Sequence, residues 1–242
     1  MDTKYDTIGL TYAALRRPDP RIARIIHDAL EQAQSVLNVG AGTGSYEPGD
    51  RLVTAVEPSV EMIRKRSPLA ARAIQACAEH LPFEDDTFDA AMAILTVHHW
   101  TDKQAGLHEM RRVTRGPLVI LTFDPAHRPW LTDYFPDLAR LDEAQMPAMT
   151  DYERWLGPVR VTPVLVPHDC NDGFLYAYWR RPESYLDAVI RSGSSSFWAI
   201  GDTGAGLRKL QRDLDSGEWT RRYAALLTLD TYDAGYRLVV TS

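Results

Sequence analysis

The feature that most restricts this chain is a loop with glycine at three alternate positions, Gly40, Gly42 and Gly44. The loop directly follows an apolar run at residues 36–39, which is typical of a buried strand. Glycine has no Cβ, so the backbone can turn sharply there and pass close to a ligand. The pattern predicts a strand that ends in a ligand-binding loop.

The same loop argues against a dinucleotide site. That site needs G-x-G-x-x-G, with its third glycine where this chain has Ser45, and a helix whose N-terminus faces the pyrophosphate. The next apolar run begins at Leu52, and Pro48 and Gly49 interrupt the interval. About one turn of helix fits at most. We therefore expect a ligand without a phosphate, and a nicotinamide-dependent oxidoreductase is the less favoured reading.

Four further apolar runs predict strands of the same sheet, at Leu52–Val56, residues 72–76, residues 89–95 and Leu118–Phe123. Helical segments are predicted between most of them, as in a parallel sheet with right-handed crossovers. Ligands bind beyond the carboxyl ends of such strands. The informative residues at those ends, besides the glycine loop, are Glu57, Glu79, His98, His99 and Asp124. Their shared position predicts one site at this edge of the sheet.

Glu57 ends the second predicted strand, 17 residues after Gly40. A carboxylate at that position can accept two hydrogen bonds from a ribose diol. The alternative is that Glu57 only caps the following helix, because anions are favoured at helix N-termini.

The pattern loosens after Pro125. Residues 159–166 indicate a sixth strand that Pro163 interrupts, which suits a sheet edge. Residues 172–225 are helical in character, and residues 235–241 alternate as a terminal strand would.

Composition excludes several partners and locations. The chain has 27 Lys and Arg against 33 Asp and Glu, a net charge of −6 that disfavours nucleic acid as a partner. Cys77 and Cys170 are too few for a disulfide framework or a Cys-rich metal site. No apolar run is long enough to span a bilayer, and the N-terminus lacks the pattern of a signal peptide. We expect a cytoplasmic protein with no metal and no membrane insertion.

Four stretches of the chain together resemble one family. They are VLNVGAGTG at 36–44, AVEPSVEMI at 55–63, ACAEHLPFEDDTFDAAMAILTVHHW at 76–100 and RRVTRGPLVILTFDP at 111–125. The chain resembles the class I S-adenosylmethionine-dependent methyltransferases, in the branch typified by ubiquinone and menaquinone methyltransferases. The resemblance implies an α/β fold with a Rossmann-like, mostly parallel sheet of seven strands and a helical insertion before the last strand.

The resemblance also implies three parts of the chain. Residues 1–20 would form an N-terminal lid, residues 21–170 and 230–242 the cofactor-binding core, and residues 171–229 a helical substrate cap.

S-adenosyl-L-methionine is the cofactor that the resemblance implies. In the family the glycine loop cradles its methionine moiety, the acidic residue after the second strand binds the ribose, and residues after the third strand flank the adenine. The matching positions here are Asn38, Gly40, Ala41, Gly42, Gly44, Glu57, Pro58, Met62, Ala78, Glu79, Leu95 and Thr96. Asn38 departs from the family, which usually has Asp or Glu there, so its amide adds no negative charge.

Methyl transfer from a sulfonium is an in-line displacement, so the protein mainly aligns nucleophile and methyl carbon in a dry site. A general base is needed only for an acceptor that binds protonated and unreactive. His98 and His99 follow the fourth strand, which in this fold faces the methyl group, and are candidate bases. His168, with Asp169 as its orienter, is a third candidate. A structural role is the alternative for each.

Three aromatic residues, Tyr5, Tyr12 and Trp100, are candidates to line the substrate chamber, with ordinary packing as the alternative. The predicted function is transfer of a methyl group from S-adenosyl-L-methionine to a small organic molecule. A non-catalytic protein that binds S-adenosyl-L-methionine is the other reading that these residues leave open.

Overall fold

Seven strands form one sheet in the computed structural model, which describes residues 16–241. With the two strands of a second, small sheet, the described residues contain nine strands. In chain order they are β1 Ser35–Val39, β2 Leu52–Val56, β3 Ala73–Ile74, β4 Ala90–Ile94, β5 Leu118–Phe123, β6 Val159–Pro163, β7 Val166–Pro167, β8 Thr231–Tyr232 and β9 Tyr236–Thr241. The sheet order is β3-β2-β1-β4-β5-β9-β6, and β7 pairs with β8 separately. β1 to β5 pair in parallel, whereas β9 runs antiparallel to both β5 and β6. The predicted Rossmann-like, mostly parallel sheet of seven strands is confirmed.

Helices cover both faces of the sheet and fill the interval before the last strands. They are α1 Pro20–Ala29, α2 Val60–Arg64, α3 Lys103–Arg112, α4 Pro136–Gln145, α5 Met149–Leu156, α6 Ala188–Ser192, α7 Ser195–Ala199, α8 Gly204–Asp215 and α9 Glu218–Arg222. Short 3-10 helices occur at Val97–His99, Trp130–Asp133, Pro182–Leu186 and Ala224–Thr228. Because α6 to α9 lie between β7 and β8, the predicted helical insertion before the last strand is also confirmed. No helix within residues 16–241 combines the length and apolarity that crossing a bilayer requires.

Side chains alternate between two apolar clusters on opposite faces of the sheet, as the pleat of a strand dictates. Leu37 and Ala91 face a cluster that includes Leu107 of α3 and Tyr152 of α5. Their neighbours along the strands face a larger cluster, which includes Ile26 of α1 and the aromatic residues of the insertion. The strands are buried on both sides, which explains their continuous apolar runs.

Fewer helices connect the parallel strands than the prediction of strands mostly separated by helices implies. No helix connects β1 to β2 or β3 to β4 in the described residues, whereas α2 and α3 serve the other two parallel connections. The connection from β1 to β2 has no helix, as expected, because it is short and Pro48 and Gly49 interrupt it.

The part of the chain after β5 also differs. The single strand predicted at residues 159–166 is divided by Pro163 into β6 and β7, which belong to different sheets. Residues 125–158, which show no clear pattern in the sequence, carry α4 and α5.

Candidate active site

The carboxyl ends of β2, β1 and β4 lie side by side, and three residues there form what we call the glycine edge: Gly40, Gly42 and Glu57. Gly40 has a φ of +68°, and a Cβ on it would lie 2.1 Å from Oγ1 of Thr96. Glycine is therefore required at position 40, both for the backbone conformation and for the close approach of the segment after β4.

Glu57 links the two sides of the glycine edge. Its Oε2 accepts a 2.8 Å hydrogen bond from the backbone nitrogen of Gly42, and its Oε1 accepts one of 2.9 Å from Ser59. Burial raises the pKa of Glu57, although both backbone hydrogen bonds and the positive charge of Arg66 oppose that shift. Each carboxylate oxygen has a second lone pair, so Glu57 can still accept hydrogen bonds from a ligand diol.

Gly42 is the point where the glycine edge opens. Its φ is +52°, and a Cβ added to it would meet nothing within 4 Å. Space above a glycine backbone next to a buried carboxylate suits a ligand that approaches the main chain closely.

A second carboxylate, that of Glu47, lies behind the loop and binds the side chain of Asn38. The amide of Asn38 donates to Oε1 of Glu47 at 3.1 Å, and Arg66 forms a 2.6 Å ion pair with the same oxygen. Arg66 also donates to the carbonyl oxygen of Gly42 at 3.0 Å. This network supports the loop without a helix, and no feature of the sequence pattern had singled out Glu47.

The residues predicted beside the adenine and ribose lie in two places: Pro58 and Met62 are before and on α2, and Ala78 and Glu79 follow β3. Met62 and Ala78 are buried, whereas Pro58 is exposed. The carboxylate of Glu79 accepts hydrogen bonds from the backbone nitrogens of Thr101 and Asp102, at 2.8 and 3.1 Å. Glu79 therefore fixes the segment before α3, a structural contact that the sequence reading had not predicted.

Leu95 leaves β4 with a φ of +51°, a conformation that bulky side chains rarely adopt. Its side chain lines a cavity between the sheet and the helices that cover it, which we call the cap cavity. The cap cavity is lined by Arg16, Leu95, His98, His99, Phe123, Asp142, Met146, Phe174, Leu175, Tyr176, Gly193, Ser194, Ser195, Ser196 and Tyr236. A strained residue at the junction of strand and cavity is typical of a functional site.

Both candidate histidines of the 3-10 helix Val97–His99 line the cap cavity. Their ring centroids are 3.8 Å apart and the rings are tilted by 49°. Burial lowers the pKa of His98 well below its usual value, and the positive charges of His99, Lys103 and Arg16 add to that shift. His98 is therefore a neutral imidazole at physiological pH, suited to hydrogen bonding but weak as a base.

Asp142 is a cap-cavity residue that the sequence reading missed. It lies on α4 with only 3% of its surface exposed, and its Oδ2 accepts a 2.9 Å hydrogen bond from the hydroxyl of Tyr176. Burial raises the pKa of Asp142 to about 6. The sequence of α4 is rich in charged residues and so resembles a solvent-exposed helix. The one feature of the sequence that could have indicated burial of Asp142 is its position four residues after Leu138, on the same helix face.

A buried ion pair joins the start of the described chain to the insertion. Nε of Arg16 lies 2.6 Å from Oδ1 of Asp172, and the hydroxyl of Tyr46 donates to Oδ2 of Asp172 at 2.8 Å. Tyr46 belongs to the loop between β1 and β2. The loop that carries the glycines is thus anchored to the insertion.

Two residues predicted for the site, Trp100 and His168, do not line the cap cavity. Trp100 is buried in the core and is not among the cap-cavity residues. Its ring packs closely against Gly106, where an added Cβ would lie 2.5 Å from the ring. Asp169 forms a 2.7 Å ion pair with Arg21 rather than orienting His168, which also does not line the cap cavity. Tyr5 and Tyr12 lie outside the described residues. Within residues 16–241, no group of three His, Cys, Asp or Glu side chains converges as a metal site requires.

The glycine edge fits the adenosyl and methionine parts of S-adenosyl-L-methionine. Gly42 has open space above its backbone, and Glu57 keeps acceptor capacity for a ribose diol. Leu95 and the buried Thr96 continue this edge toward the cap cavity.

Comparison with known proteins gives a consistent picture. Residues 37–117 match a family described as "Methyltransferase domain". A crystal structure of a putative methyltransferase from an antibiotic biosynthesis pathway of Anabaena variabilis is 36% identical, covers 94% of this chain and 99% of its own, and has a TM-score of 0.85.

Two curated relatives match over part of their length. 2-methyl-6-phytyl-1,4-hydroquinone methyltransferase 1 of Oryza sativa subsp. japonica is 28% identical over 62% of this chain and 50% of its own. Demethylmenaquinone methyltransferase of Paenarthrobacter aurescens is 33% identical over 54% of this chain and 56% of its own. The chain thus spans about half the length of the curated relatives it matches.

Proposed function

This chain belongs to the class I S-adenosylmethionine-dependent methyltransferases, and we propose that it transfers a methyl group to a small organic acceptor held in the cap cavity. One observation carries the proposal. The glycine edge and the cap cavity meet at the end of β4, where Leu95 lines the cavity and Thr96 packs against Gly40. A cofactor on one side and an acceptor on the other would therefore face each other across this junction.

Glu57, Gly40, Gly42 and Gly44 bind the cofactor in this proposal. Glu57 holds the ribose diol, and the glycine backbone lies against the methionine part. When bound, S-adenosyl-L-methionine supplies an electrophilic methyl group on a positively charged sulfur. The sequence-predicted contacts of Asn38, Ala41, Pro58, Met62, Ala78, Glu79, Leu95 and Thr96 belong to the same proposal.

The cap cavity aligns the acceptor and excludes water. Its wall combines apolar side chains such as Met146 and Phe174 with a few polar groups, the composition that suits a small molecule. Neutral His98 accepts a hydrogen bond from the acceptor and so orients it, and His99 stands beside it. Alignment of this kind can supply much of the rate acceleration in a displacement reaction.

The cap itself comprises residues 171–229 together with α4, which packs against α7 of the insertion. Relatives named for hydroquinone and demethylmenaquinone support a small-molecule acceptor. The presence of only two cysteines supports a cytoplasmic location.

Calorimetric titration with S-adenosyl-L-methionine, S-adenosylhomocysteine and NADH tests the cofactor. The first two compounds should bind and NADH should not. S-adenosylhomocysteine formation, measured with a panel of small phenols, amines and carboxylic acids, then tests transfer. Binding of NADH, or failure of both sulfur compounds to bind, would contradict the proposal. Cofactor binding without turnover of any acceptor would instead favour the non-catalytic alternative.

A further inference from the structure

A carboxylate in the wall of the cap cavity has one oxygen with no protein donor. Asp142 is 3% exposed, and Tyr176 is the only side chain or backbone group that donates to its carboxylate among the described residues. That hydrogen bond engages Oδ2 alone. Because Asp142 lines the cap cavity, Oδ1 is placed to accept a hydrogen bond from a molecule bound there.

Burying this carboxylate is costly, because no Lys, Arg or His side chain within residues 16–241 forms an ion pair with it. Arg128, whose positive charge lowers the pKa of Asp142, forms its ion pair with Glu143 instead. A buried acid without a countercharge destabilises the fold unless a ligand or a proton compensates. The arrangement is therefore more easily explained by binding than by packing.

We propose that Asp142 accepts the proton of a phenolic or enolic hydroxyl group of the acceptor, so that the substrate is a hydroxylated, largely apolar ring compound. This inference rests on the proposed function. It adds a class of acceptor and a catalytic base to that function.

The walls around Asp142 match such a ring. Four aromatic residues line the cap cavity together with Asp142: Phe123, Phe174, Tyr176 and Tyr236. Flat aromatic surfaces bind a planar apolar ring well. A primary ammonium would bring three donors, whereas Asp142 offers one oxygen without a donor, which fits a single hydroxyl group.

Acid strength separates phenols from ordinary alcohols. With its pKa raised to about 6 by burial, Asp142 is ionised at neutral pH. A phenol of pKa about 10 lies about four units above it, whereas an alcohol near the value of water lies about ten units above. The first proton transfer is accessible during catalysis and the second is not.

The step balances without any further reactant. The hydroxyl proton moves to Oδ1 of Asp142 as the acceptor oxygen, or the ring carbon conjugated with it, forms a bond to the methyl carbon. The carbon–sulfur bond breaks, and its electron pair stays on sulfur, which becomes a neutral thioether. When carbon is methylated, the proton on that ring carbon passes to solvent and protonated Asp142 returns its proton to the oxygen, which restores the aromatic hydroxyl compound.

Binding of simple ring compounds provides a test that does not need the true acceptor. The wild-type protein and the Asp142→Asn variant, both saturated with S-adenosylhomocysteine, are titrated at pH 7.5 with p-cresol, 4-methylanisole and 4-methylbenzylamine. The wild type should bind p-cresol at least tenfold more tightly than 4-methylanisole, and Asp142→Asn should lose most of that preference. Asp137→Asn, an identical change on the same helix at a residue outside the cap cavity, should keep it.

The pH dependence of kcat/KM for a phenol that is turned over gives a second readout. The groups that act on Asp142 or share its cavity are Tyr176, Tyr236, Arg128, Glu143, Arg16, His98 and His99. The rate should rise with pH to a half-maximum near 6 in the wild type, and Asp142→Asn should lose about 10²- to 10⁴-fold. Because the Tyr176 hydrogen bond lowers the pKa of Asp142, Tyr176→Phe should move the half-maximum to higher pH.

The outcomes that overturn the inference are distinct from those that overturn the proposed function. No preference for p-cresol over 4-methylanisole, or a preference that survives in Asp142→Asn, would refute the role of Asp142. Tighter binding of 4-methylbenzylamine than of p-cresol would refute it in favour of a cationic acceptor. Either result leaves cofactor binding intact, whereas failure to bind S-adenosylhomocysteine removes the proposed function and this inference together. If Asp142→Asn does not fold, an unchanged pH profile in Tyr176→Phe would still refute it.

Discussion

The backbone nitrogen of Gly42 donates a 2.8 Å hydrogen bond to Oε2 of Glu57. The contact joins the loop after β1 to the end of β2, so the backbone that would approach the cofactor and the carboxylate that would bind its ribose are positioned by each other. Glu57 also accepts a hydrogen bond from Ser59, which holds the segment before α2 in place. One side chain therefore organises the glycine edge.

Replacing Glu57 with Gln should weaken the binding of S-adenosylhomocysteine by about 1.5 to 3 kcal/mol, as expected for the loss of charge-assisted hydrogen bonds. Isothermal titration calorimetry measures the change. Glu61→Gln is the matched control, because among residues 16–241 the Glu61 carboxylate forms an ion pair with the exposed Arg64 alone. Unchanged affinity in Glu57→Gln would exclude its role in binding the ribose.

Alanine should affect mainly the stability of the protein at position 40 and mainly cofactor binding at position 42. Gly40→Ala should lower the free energy of unfolding by about 2 to 5 kcal/mol, because the new Cβ clashes with Thr96 in a left-handed backbone. Gly42→Ala meets open space and should cost only about 1 to 2 kcal/mol of backbone strain. Its methyl group would instead occupy the space proposed for the cofactor.

Urea unfolding and calorimetry together measure this pair of variants. We expect Gly42→Ala to lose at least about tenfold in affinity for S-adenosylhomocysteine while it remains folded. Equal affinity in Gly42→Ala and the wild type would mean that the cofactor does not approach this glycine.

Ionised Asp142 should destabilise the fold, with a definite pH dependence. Its pKa is raised from 3.8 to about 6, so the folded state holds the proton more tightly than the unfolded state does. The stability that this proton contributes is present below pH 3.8 and is lost as the pH rises through 6. At pH 8 the loss amounts to about 3 kcal/mol.

Asp142→Asn should therefore be more stable than the wild type by about 2 to 3 kcal/mol at pH 8, and the difference should shrink toward pH 4. Urea unfolding at several pH values measures it. A variant that is less stable at pH 8 than the wild type would show that the carboxylate serves the fold.

Removal of the carboxylate of Asp172 should lower the free energy of unfolding by about 3 to 5 kcal/mol, because it breaks a buried ion pair with Arg16 and removes the acceptor of the Tyr46 hydroxyl. Asp169→Ala is the control, since the Asp169 side chain is 59% exposed and its ion pair with Arg21 should contribute less than about 1 kcal/mol. Chemical denaturation of Asp172→Ala and Asp169→Ala compares them. Similar losses of stability in the two variants would show that the buried Arg16–Asp172 pair contributes no more than the exposed Arg21–Asp169 pair.

The sheet could be predicted because each strand is marked by a short continuous stretch of the sequence. β2 and β5 occupy the predicted residues, since strands buried on both faces appear in the sequence as unbroken apolar runs. The glycine edge was predictable for the same reason, because Gly40, Gly42 and Glu57 follow such runs directly.

The cap cavity could not be predicted because the residues that form it are far apart in the sequence. Asp142 is paired with Tyr176, 34 residues away, and its own helix is too rich in charge to look buried. The position of Trp100 also depends on a distant residue. Gly106 on α3 provides the space in which the Trp100 ring packs into the core.

Tyr46 lies two residues after Gly44, yet its hydroxyl is bound to Asp172 in the insertion. Core and cap are therefore not independent modules that can be recombined freely. A chimera that borrows its cap from another methyltransferase would bury this phenol with nothing to accept its proton, and the disturbance would reach the glycines. Grafting should succeed only when the β1–β2 loop and position 172 are exchanged as one unit.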